Sequence, residues 1–191
     1  MKMKIKKIVL SVALFLVLMA LPARAQHFSV STNTLDWANL GTINLEAGVS
    51  LAQHFSLHVG GRYNPWTFQQ KDPYMIIREK QKSAYVGARW WAWYVYTGWW
   101  VGAKVQYSDF EVTGIWRPAV DRGKALGLGL SAGYTFMISE QFNFELGLGL
   151  WGGYLLDYQL LYSPAREDVR ASGSRPFIQP DILSASFIYV F

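Results

Sequence analysis

The 191-residue sequence contains no cysteine, which excludes disulfide bonds, thiolate metal sites and cysteine nucleophiles. It also lacks the ligand spacing of a metal site, a glycine-rich phosphate loop and a nucleotide-binding motif. Its three histidines are His27, His54 and His58. We therefore expect no catalytic residues, no metal and no cofactor. The lack of cysteine fits an exported protein that folds without disulfides.

The sequence also has no net charge once its first residues are set aside. The formal net charge of the whole chain is +5. The residues that account for it are Lys2, Lys4, Lys6, Lys7 and Arg24, so thirteen basic and thirteen acidic residues remain after position 25. A nucleic-acid partner, which would require a basic surface, therefore has no support.

The basic start belongs to a targeting signal. An apolar run from Ile8 to Leu21 follows the lysines, and Ala23-Arg24-Ala25 places small residues at the two positions that a signal peptidase reads. The run is short for a membrane-spanning helix. We therefore expect a secretory signal peptide over residues 1–25, cleaved near Ala25. The mature chain, residues 26–191, has the length of one domain.

Strict alternation of apolar and polar residues is the main pattern of the mature chain. In Gln141–Gly153 (QFNFELGLGLWGG), every second residue from Phe142 to Leu150 is large and apolar. This period of two predicts a strand with one apolar face. The same pattern predicts seven further strands, the first of them weaker: Phe28–Asp36, Thr42–Leu51, Phe55–Asn64, Ala84–Tyr94, Trp99–Tyr107, Leu126–Phe136 and Ile182–Phe191.

The two faces of these strands differ in a way that identifies their solvent. One face is almost entirely aliphatic and aromatic, and the other carries glycines together with Glu46, Arg62, Arg89, Lys104 and Glu145. Aromatic residues also gather near strand ends, and seven surround one turn: Trp90, Trp91, Trp93, Tyr94, Tyr96, Trp99 and Trp100. An outward apolar band with aromatic girdles and a polar interior is typical of outer-membrane barrels. We therefore predict an all-β fold, an eight-stranded antiparallel transmembrane β-barrel of outer-membrane type.

The connections between the strands alternate in length. Short turns are predicted at Ala52–His54, Val95–Gly98 and Ile138–Gln141, and long loops at Thr67–Lys82, Asp109–Lys124 and Leu156–Pro180. A soluble lipocalin-like barrel, with its apolar face inside, has no reason to sort its connections in this way. The final residues, LSASFIYVF, resemble the terminal strand signal that the barrel assembly machinery of Gram-negative outer membranes reads. We therefore expect outer-membrane lipid and this machinery as partners.

The five charged residues on the inward face are predicted to pair with one another. Eight strands enclose an interior just wide enough for side chains, and an unpaired buried charge is costly. The prediction is a structural charge network of Glu46, Arg62, Arg89, Lys104 and Glu145; a proton or ion path is the alternative. His58 is the one histidine expected to point inward, preceded there by Ser56, and we interpret it as a hydrogen-bonded interior residue.

Several short motifs resemble one protein family. They lie in Asn33–Trp66 (NTLDWANLGTINLEAGVSLAQHFSLHVGGRYNPW), Arg89-Trp90-Trp91, Val101-Gly102-Ala103, Leu130–Tyr134, Asn143–Glu145 and Ser184–Phe191. In these the chain resembles an uncharacterised family of Bacteroidota outer-membrane proteins, the domain of unknown function 3575. The resemblance implies a small barrel of outer-membrane type with no established activity. Some members accompany surface-fimbria genes, which implies surface or fimbrial proteins as further partners.

The sequence therefore predicts a non-enzymatic barrel with a structural, adhesion- or fimbria-related, or accessory role. It is expected to be integral to the outer membrane of a Gram-negative bacterium. Two alternatives stay open. One is a lipid-modifying barrel enzyme that uses His58 or a loop residue, and the other is a narrow channel for small solutes.

Overall fold

The computed structural model describes residues 28–69, 76–113, 120–163 and 166–191. The predicted signal peptide lies outside these ranges. The described elements are β1 Phe28–Asn33, α1 Thr34–Ala38, β2 Ile43–Ala52, β3 Phe55–Asn64, β4 Thr67–Gln69, β5 Ile76–Trp91, β6 Gly98–Thr113, β7 Val120–Met137, β8 Phe142–Ser163 and β9 Arg166–Val190. No helix within these ranges is long and apolar enough to cross a membrane.

The strands close into a barrel. Each strand pairs antiparallel with its neighbours in the order β3-β2-β1-β9-β8-β7-β6-β5, and pairing between β3 and β5 completes the circle. The three-residue strand β4 pairs with the start of β5 and continues the position of β3 in the wall. The prediction of a closed, eight-stranded antiparallel barrel is therefore confirmed.

The apolar face of each strand points out of the barrel. In β8, Asn143 and Glu145 are 3% and 2% exposed, whereas Leu146 and Leu148 are 46% and 67% exposed. Period-two alternation puts successive side chains on opposite faces of a strand, and here the polar set is the buried one. This sidedness excludes a lipocalin-like barrel, which would bury the apolar set.

The predicted long loops are wrong over much of their length. β5 begins at Ile76, β6 runs to Thr113, β7 begins at Val120, and β8 and β9 together cover most of Leu156–Pro180. These segments continue the barrel strands as tall hairpins. Backbone pairing does not require apolar side chains, so a ladder can extend where both faces are polar. Residues 70–75, 114–119 and 164–165 lie outside the described ranges.

The opposite end carries short connections, as predicted. β2 and β3 are joined by Gln53 and His54, β5 and β6 by residues 92–97, and β7 and β8 by residues 138–141. The strands differ in length: β1, β2 and β3 have 6, 10 and 10 residues, whereas β5 to β9 have 16 to 25. The wall of the barrel is therefore uneven in height.

The first predicted strand is too long, because a helix replaces its end. Asn33 ends β1 and caps α1: its Oδ1 accepts a hydrogen bond from the Leu35 backbone N–H at 3.2 Å. The same oxygen accepts from the backbone N–H of Ala185 at 3.0 Å. An asparagine that satisfies free N–H groups at a helix start favours helix over a continued strand. Residues Thr34–Asp36 are therefore helical.

Within the described ranges, the edge of β9 that faces β1 has no strand partner over much of its length. The pairing of β9 with β1 ends at Ser186, and among the described strands none pairs with that edge of β9 above it. α1 covers the lowest part, where Thr34 Oγ1 donates to the backbone oxygen of Ala185 at 2.7 Å. Higher up the strand carries Pro176 and Pro180. Proline offers no N–H for a further strand, so this edge is protected against strand addition.

Candidate functional site in the barrel interior

The turn end of the interior is closed by an aromatic floor. The buried residues there are Trp91, Tyr96, Trp100, Ile188 and Val190. Tyr96 lies in the connection between β5 and β6, has a positive φ of 67° and packs edge-on against Trp91 with ring centroids 5.8 Å apart. The turn thus folds back and inserts its tyrosine into the barrel.

Three of the seven residues predicted to surround this turn as a group belong to the floor and not to the outer surface. Trp91 and Trp100 are paired across β5 and β6 and share the inward face. The outer residues are Trp90, Trp93, Tyr94 and Trp99. Two glycines make room for the indole of Trp100: a Cβ on Gly133 would lie 2.6 Å, and one on Gly147 3.1 Å, from its Cζ2.

Arg89 is the centre of the lower charge cluster. Its Nη2 lies 2.8 Å from Oε1 of Glu46, and its Nη1 lies 3.2 Å from Oε2 of Glu145. Glu145 also accepts a hydrogen bond from Thr135 Oγ1 at 3.0 Å. The guanidinium carbon lies 4.3 Å from the Trp100 ring centroid, so the cluster rests directly on the aromatic floor.

Arg62 and Lys104 form an upper charge cluster with two carboxylates. Lys104 Nζ lies 2.5 Å from Oδ2 of Asp181. Arg62 Nε lies 2.9 Å from Oδ2 of Asp36, and its Nη1 lies 3.5 Å from Oδ1 of Asp181. The Lys104 stem lies against Gly129, where an added Cβ would approach it to 2.8 Å. Each cation of this cluster thus faces a carboxylate in an interior that excludes most water.

The structure places all five sequence-predicted charges inside the barrel, but not as one set. Glu46, Arg89 and Glu145 contact one another. Arg62 and Lys104 instead pair with Asp36 and Asp181, which sequence reasoning missed.

The two missed carboxylates differ in whether a sequence signal existed. Asp36 had one, because an asparagine followed three residues later by an acidic residue is a helix-start pattern. Asp181 had none. It is the unpaired residue at a register shift, where Pro180 pairs with Leu150 and Ile182 with Gly149. A bulge of this kind re-aims a side chain.

His58 joins a hydrogen-bonded chain that has the order of a catalytic triad. Ser56 Oγ lies 2.7 Å from His58 Nε2, and His58 Nδ1 lies 3.0 Å from Glu46 Oε1. A nucleophile, base and carboxylate in this arrangement are the parts of a serine hydrolase. However, Ser56 is 1% exposed, and its Oγ already accepts a hydrogen bond from Trp91 Nε1 at 2.8 Å. Ser56, His58 and Glu46 are therefore linked by hydrogen bonds, but a substrate cannot reach the Ser56 Oγ.

Little space remains around these groups. One cavity of about 40 Å³ is lined by residues of both clusters, including Glu46, Arg62 and Glu145. Another of about 20 Å³ lies beside His58 and Lys104. Cavities of this size hold one or a few waters. Within the described ranges, no cluster of three or more histidine or acidic side chains is arranged to hold a metal ion.

A closed barrel with an apolar outer wall and an ion-paired interior defines the class: a small β-barrel protein whose interior is filled by its own side chains. Residues 11–191 match the family described as Protein of unknown function (DUF3575), and the chain belongs to this family. The resemblance to the domain of unknown function 3575 is thereby confirmed. No curated protein matches the sequence.

Proposed function

We propose that the protein is an integral outer-membrane barrel of a Gram-negative bacterium, exported by a signal peptide over residues 1–25. The observation that carries this proposal is the outer wall. Leu130 on β7, Leu148 on β8 and Leu183 on β9 are 69%, 67% and 73% exposed. They lie on adjacent strands in a continuous apolar surface. Soluble monomers rarely expose apolar patches of more than a few hundred square ångströms.

The aromatic residues of the outer surface support the same proposal. At the turn end, Trp99, Tyr134 and Phe136 form a contiguous row with ring centroids 5.0 and 4.7 Å apart. Toward the other end, exposed aromatics include Tyr107 and Tyr154. With a strand rise of about 3.3 Å per residue and the usual barrel tilt, Trp99 and Tyr107 are separated by roughly 20 Å along the barrel axis. That separation is close to the height of the apolar band of outer-membrane barrels, about 25 Å.

The filled interior supports a non-enzymatic and non-conducting role. The upper parts of β5 to β9 extend beyond the apolar band, and we infer that they project from the membrane. This projection, together with the fimbria genes that the family resemblance implies as neighbours, supports an accessory role toward surface or fimbrial proteins. Outer-membrane lipid and the barrel assembly machinery are the other partners of this proposal.

Membrane insertion is tested by expressing the full chain, with its own N-terminus, in a Gram-negative host. We expect the protein in the carbonate-washed outer-membrane fraction, with faster migration in unboiled than in boiled gel samples. Recovery in the soluble periplasmic fraction after membranes are pelleted would refute the proposal.

A second candidate function is a lipid-modifying serine hydrolase, and the Ser56–His58–Glu46 chain is the observation that favours it. The burial of Ser56 opposes it. The refolded protein and its Ser56→Ala variant are treated with a fluorophosphonate probe, and we expect no label on either. If the probe labels the parent protein but not the Ser56→Ala variant, the non-enzymatic proposal is wrong. An acyl-chain difference in lipid A between deletion and parent strains would also contradict it.

A further inference from the structure

The tall part of the wall encloses a cleft that the interior charge clusters do not fill. It has a volume of about 350 Å³ and is lined by residues of β5, β6, β7, β8 and β9. Among the described strands, β1 and β2 are short and leave one side of the cleft low, whereas β4 continues β3 in the wall. Ligand pockets typically occupy about 300–1,000 Å³ and are found in the mouths of β-barrels.

Aromatic side chains supply much of the lining. Trp151 and Phe177 meet edge to face with ring centroids 4.7 Å apart, and Trp151 is 3% exposed. Phe110 and Tyr158 are partly buried against the same cluster. The half-buried rings of Phe110, Tyr158 and Phe177 therefore offer flat apolar surfaces to the cleft, and the buried Trp151 packs behind them.

Polar groups alternate with these rings and are largely uncommitted. The side chains of Gln81 and Gln179 form no hydrogen bond with any residue of the described ranges. Arg175 stacks on Tyr158, with its guanidinium carbon 4.3 Å from the ring centroid, and has no ion pair or hydrogen bond to a described residue. The Asp121 carboxylate already accepts a hydrogen bond of 2.6 Å from the Tyr158 hydroxyl. The free groups thus include both donors and acceptors.

We propose that this cleft binds a short neutral saccharide. A sugar ring packs its C–H face against aromatic rings, and its hydroxyls both donate and accept, which matches the amides of Gln81 and Gln179. An acyl chain would cover the half-buried amide of Gln81 without offering it a hydrogen-bond partner, at the cost of its desolvation. A small inorganic anion would engage Arg175 and leave the aromatic walls empty. An added peptide strand is opposed by Pro176 and Pro180 on the free edge of β9.

The proposal goes beyond the proposed membrane role and can be tested independently of it. The purified chain is refolded in dodecyldimethylamine oxide, a detergent without sugar, and titrated by NMR saturation transfer with maltose, lactose, cellobiose and chitobiose. We expect saturable binding of at least one disaccharide. Decanoate and inorganic phosphate serve as comparison probes.

Two variants test whether the binding belongs to the cleft. Phe177→Ala removes a ring and Gln179→Ala removes an amide, and each should weaken binding by about tenfold. The matched control is Ile178→Ala, since Ile178 lies between them on β9 and is exposed; it should leave affinity unchanged. Retained heat-modifiable migration shows that each variant is folded. The proposal is wrong if no disaccharide binds, if only decanoate or phosphate binds, or if both cleft variants bind as the parent does.

Discussion

Lys104 on β6 and Asp181 on β9 are joined by a 2.5 Å ion pair, although β7 and β8 lie between their strands in the wall. The pair therefore crosses the interior instead of linking neighbouring strands. Arg89 makes a comparable connection from β5 to Glu46 on β2 and Glu145 on β8. These ion pairs therefore connect strands that share no backbone hydrogen bonds.

The Lys104–Asp181 pair should behave as a coupled unit. Lys104→Met leaves the buried Asp181 carboxylate without this lysine, and Asp181→Asn leaves the buried Lys104 without this carboxylate. The double variant should therefore lose less stability than the losses of the two single variants added together. Contacting pairs typically show coupling of about 0.5–3 kcal/mol. Urea unfolding in lipid vesicles, followed by tryptophan fluorescence, measures the cycle. Strict additivity would show that the two charges do not depend on each other.

Arg89 should be the most sensitive position of the lower charge cluster. Arg89→Ala leaves Glu46 and Glu145 buried without their shared cation, and breaking a buried pair costs on the order of 3–5 kcal/mol. Arg122→Ala is the control, because Arg122 is exposed, and surface changes usually remain within about 0.5 kcal/mol. Equal urea midpoints for the two variants would contradict a stabilising charge network.

A charge placed on the outer wall tests the membrane proposal through stability. Leu148→Arg should cost about 2–4 kcal/mol in lipid if its position lies near the bilayer midplane. Val169→Arg places the same charge on the tall extension, where Val169 is also exposed, and should be nearly neutral. The folded fraction is read from heat-modifiable gels after refolding into vesicles. Equal tolerance of both arginines would argue against a lipid-facing wall.

A single methyl group added at Gly133, which makes room for Trp100, should lower the stability of the barrel. Gly133→Ala would place a Cβ against the backbone oxygen of Leu146 and 2.6 Å from the indole Cζ2 of Trp100. Overpacking of this kind typically costs about 1–3 kcal/mol. Gly152→Ala is the control, because the nearest atom to its Cβ would be a backbone oxygen at 3.2 Å. The same urea titration compares the two variants, and near-UV circular dichroism reports on the packing of the aromatic side chains. An unchanged Gly133→Ala variant would mean that the floor is loosely packed.

Conductance separates a filled barrel from a narrow channel. Among the described residues, the aromatic floor and the two charge clusters fill the interior around cavities of about 40 and 20 Å³. We therefore expect no steady single-channel current in planar bilayers. Removing the floor with the paired change Tyr96→Ala and Trp100→Ala should raise conductance. Steady nanosiemens currents from the unmodified protein would establish the channel alternative.

Sequence patterns located the centres of the strands better than their ends. The predicted bounds of β3, Phe55–Asn64, agree with the structure, because tight turns and an apolar face delimit this strand. The 25-residue strand β9 was predicted only from Ile182 onward. Its upper part carries prolines and polar residues typical of loops, and its strand character depends on pairing with β8.

The sequence by itself determined the inward or outward direction of the central side chains. That property depends only on consecutive residues, since alternation fixes opposite faces along any strand. The tertiary structure alone decided which inward charges meet. Asp36 enters the interior through a helix turn and Asp181 through a bulge, and their cations, Arg62 and Lys104, lie on strands distant in the chain. Such contacts exist only after the sheet closes, so no local pattern encodes them.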